Sequence, residues 1–207
     1  MPKLLEDIAE EVRSAEFSLQ KTSDGRLDSA LNEKKVLDWL KTLNNMCPIH
    51  ASDVREWYDF SVPSEGSNLC VNIKISAFNS ADNLNCKLGI YHCLTGKEPG
   101  FSNGIGWSDF LRHLQSGIRE NDRDYYFLVI NKHDLSDVFV ASLRTLSVVT
   151  PNGNNLPFQA NWDYNRQPTV RSFERAKEFL IGNLGRSLSL RAEAYEGFKR
   201  YFPEYLE

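Results

Sequence analysis

A segment near the middle of the chain, LCVNIKI at residues 69–75, constrains the fold most because its side chains alternate without a break. Four aliphatic residues alternate with Cys70, Asn72 and Lys74. Because side chains repeat with a period of two along a β-strand, the aliphatic set predicts a buried face, and the other three share the opposite face. A lysine two residues from an amide is unusual in a strand that serves packing alone. The pattern therefore predicts a strand with one apolar face and one face whose side chains can take part in binding or catalysis.

A second short segment, residues 57–62, completes a predicted β-hairpin. It carries Asp59 at its centre, and a loop rich in turn-forming residues separates it from the first segment. If the register is symmetric about the middle of this loop, Asp59 lies directly across from Asn72, and Lys74 is its diagonal neighbour at roughly 7–8 Å. The hairpin therefore predicts an acid, an amide and a lysine on one face of a sheet.

The remaining periodicities predict helices on both sides of the hairpin and further strands after it. The order helix, strand, strand, helix, strand indicates an α/β or α+β domain with a mixed central β-sheet flanked by helices. At 207 residues, 41% of them hydrophobic, the chain fits a single domain with its core at about 29–149 and additions over 150–207. The first predicted helix spans residues 3–20, and the second runs from Asp28 or Ser29 to about 45. A third helix is predicted at 81–95, capped by Ser80 and ended by Gly96. Later helices are predicted at 108–118, 170–183 and 187–201, and the later strands at 125–130 and within 138–149.

Composition excludes several classes of protein. The net charge is −4 and no region is strongly basic, which argues against non-specific coating of nucleic acid. The four cysteines have no CxxC pairing and are predicted to be reduced packing residues of an intracellular protein. The four histidines lack metal-ligand spacing. We expect a cytoplasmic protein, because the start has no long apolar region and no stretch approaches about 18 apolar residues.

The residues of the hairpin match the requirements of phosphodiester cleavage. That reaction needs oxygen ligands for a divalent ion and a cation that stabilises the transition state or orients the attacking water. Mg²⁺ prefers oxygen and is commonly held by one or two carboxylates together with substrate phosphate. Asp59, the amide oxygen of Asn72 and Lys74 supply this set, although only one of them is a carboxylate.

This arrangement resembles the PD-(D/E)xK superfamily, and by size and layout a type II restriction endonuclease. The resemblance covers residues 29–132 and implies an αββαβ core, Mg²⁺ as cofactor, double-stranded DNA as substrate, and a homodimer that matches two-fold symmetric sites. By the same resemblance, Asp59 would bind metal, Asn72 would add a neutral ligand, and Lys74 would orient or activate the water. The family also uses a glutamate from an N-terminal helix, for which Glu33 is the candidate.

The chain departs from the family pattern at two positions. Tyr58 replaces the usual proline, and Asn72 replaces the second acid. Because an amide oxygen is a weaker, neutral ligand, a compensating carboxylate would have to come from Glu33, Asp82 or Glu56. Glu33 has independent support, because it falls on the predicted apolar stripe of its helix, where a carboxylate needs a partner.

Three segments are candidates for DNA contact. Asparagine and glutamine pair bidentately with adenine and arginine with guanine, so the amide-rich segment 150–168 is predicted to read bases. The glycine-rich loop 100–107 could approach the phosphate backbone, and the basic C-terminal helices could contact phosphates through Arg171, Arg175, Lys177, Arg186 and Arg191. The predicted DNA-contacting residues are Asn154, Asn155, Gln159, Asn161 and Arg166 from the segment, Asn103 from the loop, and Asp82, Asn83 and Lys87 from the third helix.

Plainer interpretations stand beside each of these. The hairpin face could be an ordinary solvent-facing sheet surface, and the segment 150–168 could be a simple turn. Glu33 could merely favour the helix dipole, and Asp82 could be only a first-turn acid. At the level of function, the alternatives are a nuclease of repair or defence without sequence specificity, and a catalytically inactive DNA-binding or interaction protein. Asn72 favours the inactive alternative.

Overall fold

The computed structural model of the chain describes residues 1–18, 25–43, 48–52 and 57–206. The helices are α1 (Lys3–Ser14), α2 (Gly25–Leu40), α3 (Lys87–Thr95), α4 (Trp107–Gly117) and α5 (Phe173–Tyr201). The strands are β1 (His50–Ala51), β2 (Phe60–Ser64), β3 (Ser67–Ser76), β4 (Ala81–Asn83), β5 (Tyr125–Asn131), β6 (Asp134–Ser142), β7 (Thr150–Pro151) and β8 (Phe158–Asn161). Short 3₁₀ helices lie at Lys41–Leu43, Leu143–Thr145, Trp162–Asn165 and Pro203–Tyr205.

The main sheet has five strands in the order β1-β2-β3-β5-β6. Strands β3 and β5 are parallel, whereas the other neighbours are antiparallel. A parallel pair needs a long crossover connection, and here that connection contains α3 and α4. The mixed sheet with flanking helices confirms the predicted α/β class. A smaller sheet of order β4-β8-β7 lies beside it. In the described ranges, no helix is long and apolar enough to cross a bilayer.

Strand β3 separates two hydrophobic cores, of which its alternating sequence predicted only the one on the aliphatic face. Val71, Ile73 and Ile75 belong to the core that α1 and α2 complete. Cys70 belongs to the other core, which is built by α3, α4, β8 and the first half of α5. Lys74 has the same parity as Cys70 and is buried with only 8% of its surface exposed. The polar face of the strand is therefore enclosed by structure and is not an open sheet surface.

The hairpin register is the predicted one. Phe60 pairs with Val71, and the pairing continues to Ser64 and Ser67 on either side of the turn. Gly66 closes the turn with φ of 76°, a left-handed conformation that favours glycine. The same register places Asp59 across from Asn72.

The predicted helix at 81–95 is wrong in its first part. Residues Ala81–Asn83 form strand β4, and the helix begins only at Lys87, after Asn85 adopts a positive φ of 52°. The reason is tertiary, because β4 finds an antiparallel partner in β8, far along the chain. The predicted helix end is confirmed, since Gly96 caps α3 in a left-handed conformation.

The C-terminal third also differs from the prediction. The segment 150–168 is not aperiodic, because it contains β7, β8 and a 3₁₀ helix. The two predicted terminal helices are one helix of 29 residues, α5, which continues through Gly182 and Gly185. Its first half is held against the body by buried residues such as Leu180 and Leu184, which outweigh the low helix propensity of glycine.

Smaller differences occur at element boundaries. Helix α1 ends at Ser14, and α2 begins at Gly25, so neither Asp28 nor Ser29 caps it. The first hairpin strand begins at Phe60, and the region 138–149 supplies the end of one strand followed by a 3₁₀ helix. The helix predicted at 108–118 is confirmed within one residue. Three cysteines, Cys70, Cys86 and Cys93, are buried and unpaired; Cys47 lies outside the described residues.

Candidate active site

Asp59 immediately precedes β2 and is fixed against β3 by three hydrogen bonds. Its N–H donates to the Val71 carbonyl at 2.9 Å. Its carboxylate oxygen Oδ2 accepts from the Ile73 N–H at 2.6 Å and from Asn72 Nδ2 at 2.8 Å. The acid and the amide that the register brings opposite each other are therefore in direct contact.

Burial raises the pKa of the Asp59 carboxyl, while the Ile73 hydrogen bond and the charge of Lys74 act in the opposite direction. The net rise means that the ionised carboxylate is under-compensated by the protein. A cation bound at this carboxylate would supply the missing compensation, because an opposite charge nearby favours the ionised form.

Only one of the two polar atoms of the Asn72 side-chain amide has a hydrogen-bond partner. Its nitrogen donates to Asp59, but its oxygen Oδ1 is buried and has no hydrogen-bond partner. A buried acceptor without a partner costs about 1–3 kcal/mol and is uncommon in folded proteins. Carboxylate and amide oxygens are the ligand type that Mg²⁺ prefers. The residues present therefore fit a magnesium ion, with Asp59 and Asn72 as the groups that would hold it.

Lys74 brings a buried positive charge to the same face of β3. Its Nζ donates to the Asn83 backbone carbonyl at 2.8 Å. An ammonium group has three donors, so this single described bond leaves it capacity for an anionic oxygen. Because Asn83 lies in β4, the small sheet positions the lysine.

A chain of side-chain amides holds β4 in place. Gln159 Nε2 donates to Asn83 Oδ1 at 2.7 Å, and Gln159 Oε1 accepts from Asn152 Nδ2 at 2.7 Å. Beside it, Trp162 Nε1 donates to Asp82 Oδ2 at 2.8 Å. The sequence predicts Gln159, Asn83 and Asp82 as DNA-contacting residues, yet the structure uses all three inside the protein. Their positioning role left no signal in the sequence, because it depends on the β4–β8 pairing.

The candidates for a compensating acid differ in placement. Glu33 is half-buried in α2, whose Val36 packs in the core on the apolar side of β3. Asp82 lies next to Asn83 but is engaged by Trp162. Glu56 lies outside the described residues. Within the described ranges, no group of three or more His, Cys, Asp or Glu side chains is arranged so that it could hold a metal ion.

The other predicted DNA-contacting residues fall into two groups. Asn103, Asn154 and Asn155 are exposed and present their side chains at the surface. The rest make internal bonds: Arg166 donates to both carboxylate oxygens of Asp137 at 2.8 and 2.6 Å and lies over Phe78, Asn161 caps the 3₁₀ helix that follows β8, and Lys87 donates to the Ile105 carbonyl at 2.7 Å.

The basic residues of α5, and Arg171 just before it, are also partly engaged in contacts within the protein. Arg171, Arg175 and Arg186 line a groove of about 600 Å³ between α5 and residues 147–149. The guanidinium of Arg171 donates to the carbonyls of Arg144, Leu146 and Thr169, and burial lowers its pKa. Lys177 pairs with Glu174, and Arg191 donates to the carbonyls of Gly153 and Asn154.

No protein-family model matches the chain, and no curated protein matches it either. The chemistry of the site therefore rests on its own geometry.

Proposed function

We propose that the chain is a Mg²⁺-dependent endonuclease that hydrolyses double-stranded DNA at specific sites, in the manner of a type II restriction enzyme, and that it acts as a homodimer. The observation that carries the proposal is the pair formed by Asp59 and Asn72. A carboxylate whose pKa is raised by burial contacts an amide whose oxygen is buried without a partner. A buried lysine on the same strand face adds the cation that phosphate chemistry requires.

The fold supports this proposal. A helix, a β-hairpin, a crossover with helices and a returning strand parallel to β3 follow in the order α2, β2, β3, α3, β5. With β1, β4 and α4 set aside, this succession is consistent with the αββαβ order that the resemblance to the PD-(D/E)xK superfamily implies. The candidate residues lie in the hairpin of this core, where the resemblance puts the family's acid and lysine.

Each residue has a distinct role in the proposed reaction. Asp59 and Asn72 would hold the metal through oxygen atoms, and the metal would supply charge stabilisation at the scissile phosphate. Lys74 orients the attacking water and stabilises the negative charge that develops on the phosphate oxygens. Asn83 holds the ammonium of Lys74 through its carbonyl, and burial keeps that interaction away from bulk water.

Recognition of DNA would come from exposed surfaces outside this site. Asn103 projects from the glycine-rich loop, and Asn154 and Asn155 project from the β7–β8 connection; all three are exposed. Exposed amides can read base edges, whereas engaged ones such as Gln159 hold the site. The groove with Arg175 and Arg186 would contact the phosphate backbone.

The test is cleavage of plasmid and phage DNA by the purified protein with Mg²⁺. We expect discrete fragments from the wild type. Asp59→Ala and Lys74→Ala should each slow cleavage at least about 1,000-fold, since each removes a group that acts in the transition state. The matched control is Lys132→Ala, which removes an exposed lysine and should leave cleavage unchanged. Wild-type rates in either site variant would refute the proposed site.

One observation favours a second candidate, an inactive DNA-binding relative. The neutral Asn72 stands where the resemblance expects an acid, and the described residues bring no cluster of acids together. Asn72→Asp separates the two candidates. An active enzyme should keep cleavage and change its preference between Mg²⁺ and Mn²⁺, whereas an inactive protein should gain cleavage only with the substitution.

A separate variant, Glu33→Gln, tests whether Glu33 supplies the compensating charge. If it does, this substitution in the otherwise wild-type protein should severely reduce cleavage.

A further inference from the structure

Helix α5 changes character halfway along its length. It has 29 residues and is therefore about 43 Å long. Its buried residues all lie in the first half, and the last of them is Ser187. The second half is exposed almost throughout, from Ser189 to the 3₁₀ helix at Pro203–Tyr205. We define residues 190–206 as the α5 tip.

Among the described residues, the last hydrogen bonds from α5 to the rest of the protein are made by Arg191. Its guanidinium donates to the carbonyls of Gly153 at 2.7 Å and Asn154 at 3.2 Å. The contact is so close that a Cβ on Gly153 would lie 2.7 Å from the Arg191 backbone nitrogen. Beyond Arg191, the hydrogen bonds, ion pairs and ring contacts of the described tip are all within the tip itself. The tip therefore projects beyond the body of the protein.

The projecting tip is rich in exposed aromatic side chains. Tyr195 is 58% exposed, Phe198 43%, Phe202 49%, and Tyr201 and Tyr205 each 72%. Leu190 adds a further apolar residue that is 44% exposed. A contiguous apolar surface of this kind on a soluble protein marks an interaction site.

These side chains share one face of the helix. At 3.6 residues per turn, Leu190, Tyr195, Phe198 and Tyr201 fall within an arc of about 140°. Four charged residues of the tip, Glu193, Glu196, Lys199 and Arg200, fall outside this arc, whereas Arg191 lies within it at the end nearest the body, where it contacts Gly153 and Asn154. The apolar arc continues the face that Leu180 and Leu184 bury against the body.

We propose that the α5 tip is a dimerisation surface and that its occupant is the α5 tip of a second copy of this chain. The area is sufficient for a self-complementary contact. An aromatic side chain can bury about 150–250 Å², so six partly exposed residues offer about 600–800 Å² per copy, close to the roughly 800 Å² per partner of a standard interface.

The charge of the tip also fits a second copy. Arg191, Lys199 and Arg200 balance Glu193, Glu196 and Glu204, so residues 190–206 carry no net charge. A neutral tip has no attraction for the DNA backbone or for an anionic membrane surface. An aromatic surface with a rim of both signs of charge matches the anatomy of protein interfaces, and a two-fold axis presents the same surface to itself.

The test measures mass in solution without DNA or Mg²⁺, so its outcome is separate from that of the nuclease proposal whose homodimer it specifies. Light scattering after gel filtration should give twice the 23.7 kDa chain mass over about a hundredfold range of concentration. The double variant Phe198→Glu with Phe202→Glu should raise the dimer dissociation constant at least about 100-fold. Its melting temperature at a concentration where it is monomeric should match that of dissociated wild type, because the described ring contacts and backbone hydrogen bonds of Phe198 and Phe202 lie within the tip.

The matched control is Tyr164→Glu, which places the same charge at an exposed aromatic residue away from the tip. This control should remain a dimer. A wild type that is monomeric at every concentration would overturn the proposal. So would a double variant that stays dimeric, because the interface would then lie elsewhere, or a control that becomes monomeric with it.

Discussion

Asp59 and Asp124 are two carboxylates whose pKa is raised by burial, but their hydrogen bonding differs. Both oxygens of Asp124 are occupied. Its Oδ1 accepts from the N–H groups of Tyr125 and Arg144 at 2.8 and 3.2 Å and from Cys93 Sγ at 3.3 Å, and its Oδ2 accepts from Ser142. Both described donors to the Asp59 carboxylate reach the same oxygen.

We propose that this difference separates a structural acid, Asp124, from a functional one, Asp59. Asp124 joins α3, β5 and the end of β6, and each of its oxygens accepts at least one hydrogen bond from these elements or the 3₁₀ helix after β6. Asp59 keeps one oxygen without a described hydrogen bond beside the unpartnered oxygen of Asn72. A raised pKa alone marks both residues, so our proposal for Asp59 rests on its unoccupied oxygen and not on its pKa.

The largest effect should come from Asp59→Asn. The amide keeps the shape and one accepting oxygen but removes the negative charge that would hold the metal. Cleavage with Mg²⁺ should fall at least about 1,000-fold, measured as single-turnover cutting of a cognate duplex. If the variant cuts as fast as the wild type at saturating Mg²⁺, Asp59 belongs with Asp124 as a structural acid.

The same variant should gain stability at neutral pH. Because the pKa of Asp59 is raised in the folded state, the carboxylate lowers stability as pH rises from the ordinary aspartate pKa through the folded value. An asparagine side chain at this position does not titrate and has no such dependence. Melting curves should therefore show the variant above the wild type at neutral pH, with the gap closing in acid. A gap that does not change with pH would mean that desolvation of Asp59 is not its cause.

Asp124→Ala should have the opposite profile. It leaves donors from Tyr125, Arg144, Ser142 and Cys93 without their acceptor, which should lower the free energy of unfolding by about 2–4 kcal/mol. Cleavage per folded molecule at low temperature should stay within about threefold of wild type, because a structural acid does not act on the transition state. Urea titration checks the first expectation and active-site-normalised cleavage the second; a stable but inactive variant would reverse the assignment.

The sequence predicted those features that depend on neighbouring residues. The alternation of β3, its hairpin register and the contact of Asp59 with Asn72 follow from period-two geometry and a short turn. The enclosure of Lys74 could not be predicted in this way, because it requires β4 to pair with β8. The hydrogen-bonded residues Asn83 of β4 and Gln159 of β8 are 76 positions apart in the sequence. The same pairing turned a predicted helix into a strand and a predicted loop into a sheet.

The candidate site shows the same limit. Residue types identified Asp59 and Lys74 as candidate site residues. The unpartnered oxygen of Asn72, however, is a property of packing that no sequence pattern reveals. The sequence of an amide-rich segment is the same whether its side chains face DNA or bond to each other. Asn154 and Gln159 carry the same functional group and differ in their surroundings. The continuity of α5 also depended on burial of its first half, which compensates for two glycines within it.

The smallest expected effect tests the distinction between exposed and engaged amides in the segment 150–168. Asn154→Ala removes an exposed amide and should weaken binding to a cognate duplex by about 1–3 kcal/mol while leaving binding to a random duplex unchanged, because base contacts specify and phosphate contacts position. Gln159→Ala should do the reverse, slowing Mg²⁺-dependent cleavage about tenfold with little change in binding, because its amide holds Asn83, which accepts the hydrogen bond from Lys74. Competition binding in Ca²⁺ and single-turnover cleavage in Mg²⁺ measure the two quantities separately. Loss of specific binding in Gln159→Ala with normal cleavage of bound DNA would show that the engaged amide leaves its network to read bases.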